Sequence, residues 1–73
     1  MSAKEMFEAL GYDEFYNISQ RMIYKCGYIR IIFDLYYKDF YKHDVENNCS
    51  VGININELKA INKQVRELGW IRR

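Results

Sequence analysis

The side chains best suited to attack a substrate, shuttle a proton or hold a metal at neutral pH are few here: Cys26, Cys49 and a lone histidine, His43. A thiol nucleophile needs an imidazole within hydrogen-bond reach and a third group that orients it. The spacing of the three shows no such arrangement, and His43 reads better as a surface residue on an edge strand. A closed zinc site needs four Cys- or His-type ligands at recognised spacings, which three scattered candidates do not supply. Asp34, Asp39, Asp44 and Glu46 crowd one stretch. On strands and turns, carboxylates more often blunt a sheet edge than catalyse. The expectation is therefore a protein with no catalytic residues, no metal and no cofactor.

Binding chemistry is better represented. Lys59, Asn62, Lys63 and Arg66 recur at i, i+3, i+4 and i+7, and Arg72 and Arg73 extend this basic face beyond a helix end. Such a face can contact phosphates. Against that, Glu57 and Glu67 interrupt it, and cations toward a helix C-terminus are favourable without any ligand. A net charge of +1 also gives only a weak grip on nucleic acid at physiological salt. The tyrosines are the stronger candidates. Tyr28, Tyr36, Tyr37 and Tyr41 fall on the outward face, the turn and the returning strand of one expected hairpin. Tyrosine gives a large contact area at low entropic cost and is enriched in interface cores. The plainer alternative is that these rings simply cover a small sheet with their hydroxyls in water. An exposed aromatic patch on so small a domain favours a partner protein.

The elements that must position these residues follow from periodicity. Ser2-Ala3-Lys4-Glu5 has the capping-box pattern, and Ala3, Met6, Phe7 and Leu10 make one apolar stripe of a short helix over residues 3–10, closed by Gly11. Residues 12–20, YDEFYNISQ, lack a clear period and read as a loop with at most a short irregular strand. RMIYK (21–25) reads as a strand and Cys26-Gly27 as a tight turn. In the next strand Ile29, Ile31, Phe33 and Leu35 face inward by alternation. Residues 36–39 connect it to a returning strand at 40–45, whose facing is ambiguous although Phe40 is expected in the core, and ENNCSVGIN is loop-like. Asn54 and Glu57 form a second capping pattern. Leu58, Ile61, Val65 and Leu68 then stripe a longer helix ended by Gly69, with Trp70 packing back on Val65. The expected fold is α+β: a three-stranded antiparallel meander with both helices on one face, αβββα.

Seventy-three residues, 49% hydrophobic and 29% charged, make one small domain with a modest core. No apolar signal region opens the chain and no stretch has the length of a membrane span, which predicts a cytoplasmic protein that does not engage a membrane. In that compartment the cysteines are expected as free thiols.

MSAKEMFEALGY at the start, YIRIIF in the middle with F-Y-K after it, and ININELKAINKQVRELGW at the end together resemble a family of small uncharacterised proteins from phages and prophages of low-GC Gram-positive bacteria. Its pattern is M-[ST]-A-K-E-M-F-E-x-L-G-Y, an I-I-F strand, then I-N-x-x-E-L-x-A-I-N-K-Q-V-x-E-L-G-W. The resemblance implies a phage-encoded accessory protein made in the bacterial cytoplasm. Proteins of that kind commonly act by stoichiometric binding to a host protein, including as inhibitors of CRISPR or other defence systems. Second comes a nucleic-acid-binding accessory protein using Lys59, Lys63, Arg66, Arg72 and Arg73, and third a structural homo-oligomer, with a homodimer forming through an edge strand. The 13–20 segment departs from the family pattern in its extra aromatics, which points to that segment or the hairpin for any lineage-specific role.

Overall fold

The structure is a computed structural model and describes residues 1–17 and 20–71. Both capping boxes form as the sequence predicts. In helix α1 (Ala3–Ala9) the Ser2 hydroxyl accepts from the Glu5 amide at 3.1 Å, while Glu5 accepts from the Ser2 amide at 2.8 Å. In helix α2 (Ile55–Glu67) Asn54 and Glu57 make the same exchange at 2.8 and 3.0 Å. These bonds satisfy amides that the first turn of a helix leaves without partners. α2 ends as predicted: Gly69 has φ +77°, its amide donates to Arg66, and the Trp70 amide donates to Val65. No described helix is long and apolar enough to cross a membrane.

Between the helices lies an antiparallel meander of five strands, not three, in the order β1 (Asp13–Asn17), β2 (Arg21–Cys26), β3 (Ile29–Asp34), β4 (Asp39–Asp44) and β5 (Cys49–Ser50). The two additional strands escape a periodicity test for physical reasons. β1 carries a bulge between Glu14 and Tyr16, which breaks the alternation, and every one of its residues is exposed. β5 is two residues long, too short to show any period.

Both helices cover one face of the sheet. Phe7, Tyr12, Tyr24, Ile31, Phe33, Ala60, Ile61 and Val65 form the buried cluster, with Trp70 and Leu68 packed against it. Phe7 stacks on Tyr24 at 4.1 Å between ring centroids, and Phe33 meets Phe7, Tyr24 and Trp70 at tilted or edge-on angles. Burying such an aromatic ring contributes roughly 1.5–3 kcal/mol, a large part of what a domain this small has available.

Two core expectations need correction. Leu58, predicted buried, is 45% exposed, because α2 is rolled so that Glu57, Ala60, Ile61, Gln64 and Val65 face the sheet. Phe40, predicted as a core residue, is partly exposed at the margin, its ring 6.1 Å from Phe33. The ambiguity of β4 is also resolved. Phe40 and Lys42 pair with inward Phe33 and Ile31, so their side faces the helices, and Tyr41 and His43 point away.

Candidate functional site

The roll of α2 has an electrostatic cause that a hydrophobic stripe cannot show. Tyr12 and Tyr24 lie in the core, and a buried hydroxyl needs a partner. Tyr12 donates to Glu57 Oε2 and Tyr24 donates to Gln64 Oε1, both at 2.7 Å. Lys42, on the inner side of β4, places Nζ 2.9 Å from Glu57 Oε1 and also donates to the Gly52 carbonyl. Burial works against the charge on Glu57, but hydrogen bonds from Tyr12, Lys42 and the Asn54 amide outweigh it and hold the carboxyl below its usual range. Burial, together with the Glu57 carboxylate, pushes the Tyr12 hydroxyl well above the ordinary tyrosine range. Burial first, then the fields of Glu14, Glu67 and Glu8, pushes Tyr24 up to about 12. Every member of this network has a partner, so it fixes the helix to the sheet.

The four tyrosines singled out from the sequence do not gather into one patch. Tyr28 sits in the β2–β3 turn, and Tyr36 and Tyr37 sit in the β3–β4 turn at the opposite end of β3. The six residues of β3 separate the two ends by about 20 Å. Asp34 Oδ1 accepts from the amides of both Tyr36 and Tyr37 at 3.0 Å, and their rings meet edge to face at 4.8 Å. Asp44 plays the matching part in the next turn, accepting from the amides of Glu46 and Asn47. These two carboxylates build turns and do not blunt an edge.

Tyr41 belongs to a different surface, the sheet face that no described element covers. Register aligns Tyr16 with Ile23, Ile23 with Ile32, and Ile32 with Tyr41. The result is one cross-strand row, Tyr16–Ile23–Ile32–Tyr41, about 14 Å long at the usual strand spacing. Ile32 is only 8% exposed although it lies outside the helix-covered core, because its neighbours in the row crowd it. A parallel row aligns Lys25, Arg30 and His43. Phe15, displaced by the β1 bulge, lies under both cations, with Lys25 Nζ 4.8 Å and Arg30 Cζ 5.2 Å from its ring centre. Sequence reasoning missed Phe15, Tyr16, Ile23 and Ile32 as a surface. The available signal was the cluster of aromatics at 12–16, which becomes legible only once β1 is paired.

The basic residues Lys59, Lys63 and Arg66 are exposed along α2 as expected; Arg72 and Arg73 lie outside the described residues. Of the two carboxylates expected to dilute this face, one is turned into the core and the other stays exposed at the helix end. Glu57 is buried, and Glu67 accepts from the Ala3 amide at 2.9 Å. Beside the face runs an apolar groove of about 490 Å³ lined by Phe40, Ile55, Leu58, Ile61, Val65 and Ile71.

Cys26 and Cys49 are free. Register places Cys26, Ile29, Asp44 and Cys49 in one inward row with two strands between the cysteines, about 14 Å apart and beyond disulfide reach. His43 is on the opposite face, so the thiol and imidazole groups are not brought together. The fold defines a small α+β domain with one helix-covered sheet face and one that is bare among the described residues. Compared with protein-family models, curated proteins and solved structures, the chain matches none.

Proposed function

We propose that the protein is a binding module acting by stoichiometric contact with another protein, through the bare face of its sheet. The observation that carries this reading is the Tyr16–Ile23–Ile32–Tyr41 row, an aliphatic strip with an amphipathic ring at each end. Aromatic anchors around an apolar centre match the composition of protein interface cores. The resemblance to phage accessory proteins makes a host protein, including a component of a defence system, the natural target class.

A nucleic-acid reading has its own observation, the Lys25–Arg30–His43 row beside aromatic rings. It is the weaker one. The centre of the strip is aliphatic and offers bases no stacking platform, and the Phe15 ring is already occupied by two cations.

The test is quantitative capture from host lysate at two salt concentrations. The Tyr16→Ala/Tyr41→Ala variant should weaken capture of one specific protein at least about thirtyfold, corresponding to about 2 kcal/mol. Lys25→Gln/Arg30→Gln should change it little. The nucleic-acid reading takes over if the captured material is polynucleotide, released by salt and lost in the Lys25/Arg30 variant.

A further inference from the structure

We infer that the groove between β4 and α2 is a second docking site, which receives an extended segment of a partner protein rich in acidic and apolar residues and adds it as a strand to the free part of the β4 edge.

Three independent features converge there. The first is backbone. β5 pairs with β4 only at His43 and Asp44, and the last bond between them runs from the Val51 amide to the Lys42 carbonyl. From Asp39 to Tyr41 the edge of β4 has no partner strand among the described residues. Backbone groups alternate sides along an antiparallel strand, so the Phe40 amide and carbonyl point to the same open side as the Lys42 carbonyl. An unpaired edge is a ready template for an added strand.

The second feature is apolar. Beside that edge, Phe40, Ile55, Leu58 and Ile71 line the groove and remain substantially exposed, Ile55 at 64%. Unlike the tyrosines of the outer face, these apolar side chains have no polar tip to account for their exposure. Alternate side chains of an added strand would point toward the groove, since strand residues project to opposite faces in turn.

The third feature is charge. With Glu57 buried, the exposed face of α2 carries three cations, Lys59, Lys63 and Arg66, against one carboxylate, Glu67, which lies at the helix end and accepts from the Ala3 amide. Lys59 itself lines the groove. Asp39 at the turn end of the edge is offset by Lys38 beside it in sequence. A cationic rim on an aliphatic floor selects against a basic strand and in favour of an acidic one. The same floor disfavours nucleic acid, whose phosphates would find cations on one side only and aliphatic carbon beneath.

The probes are three synthetic peptides with one alternating apolar pattern: glutamate at the other positions, lysine at those positions, and the glutamate peptide with alternate backbone amides N-methylated. Binding is followed by amide chemical shifts of the intact protein. The glutamate peptide should bind at least about tenfold more tightly than the lysine peptide, shift the Phe40 and Tyr41 amides, and lose affinity on N-methylation. Leu58→Asp should abolish binding. Because a groove variant could also disturb packing, the deciding variant is Lys59→Glu/Lys63→Glu, which should reverse the peptide preference while leaving the amide spectrum of the core unchanged. Equal affinity for both charged peptides overturns the inference. So does indifference to N-methylation, self-association that fills the groove with a second copy, or oligothymidylate shifting the same amides more strongly than the peptide.

Discussion

On the helix-covered side of the sheet, Tyr12 and Tyr24 lie inside the core and donate their hydroxyls to Glu57 and Gln64. On the bare side, Tyr16 and Tyr41 close the two ends of an aliphatic row and stay 44% and 41% exposed. The difference shows what a tyrosine requires in each place. Inside, its hydroxyl must find an acceptor, and the acceptor must come from the packing helix. That requirement places a glutamate and a glutamine on the buried face of α2 and rolls Leu58 outward. Outside, water serves the hydroxyl, the ring is free to cover aliphatic neighbours, and no companion polar residue is needed. Tyrosine therefore meets different requirements on the two faces, and the proposed recognition surface draws on the outer pair alone.

The sharpest way to break this contrast is to cut into each side. Phe7 is fully buried and stacked on Tyr24, so Phe7→Ala should cost about 3–5 kcal/mol, comparable to the whole stability of so small a domain. Leu58→Ala should cost under about 1 kcal/mol, as expected for a side chain that has left the core. Urea denaturation of both variants measures the ratio directly. Equal losses would mean that α2 is not rolled as described.

Next in size are the polar partners. Tyr24→Phe leaves Gln64 buried without its donor and should cost about 1–3 kcal/mol. Adding Gln64→Leu should recover part of that loss, since removing both partners is far less harmful than removing one. Tyr16→Phe, on the wet side, should leave stability unchanged. The same contrast appears in pH dependence. The Tyr24 hydroxyl titrates near 10 in the unfolded chain and at about 12 when folded. Its contribution is thus complete below about pH 10 and is lost as pH rises toward 12. Glu57 has the opposite sign. Its folded value is lowered, so its contribution is present above the unfolded value of about 4.3 and disappears as pH falls through the folded one. A stability profile that stays flat between pH 10 and 12 would place Tyr24 outside the core.

Much of the framework was legible in the sequence because it rests on local chemistry. Ser2 with Glu5, Asn54 with Glu57, and Gly69 with Trp70 are short-range signals, and all three form as expected. The odd-numbered face of β3 was equally plain, since alternation needs no knowledge of neighbours. What escaped depends on partners distant in sequence. β1 is a strand because β2 pairs with it, its bulge hiding the period. Glu57 and Gln64 are buried because Tyr12 and Tyr24 reach them, and nothing within α2 itself signals that. The outer row could not be read at all before strand register was fixed, since its members come from four strands.

The smallest expected effect separates a presented surface from an incidental one. Tyr36 and Tyr37 are 76% and 74% exposed at the hairpin tip, so replacing both with alanine should change stability by no more than about 0.5 kcal/mol. Their edge-to-face geometry is nevertheless defined, because Asp34 Oδ1 accepts both amides and fixes the turn. Asp34→Ala removes that acceptor, whereas Asp34→Asn keeps a side-chain oxygen able to accept the same bonds. Ring-to-ring NOEs between Tyr36 and Tyr37 should therefore vanish in the alanine variant and persist in the asparagine one, with the core signals unchanged in both. Persistence in Asp34→Ala would show that the rings hold each other and that the carboxylate is dispensable at the tip.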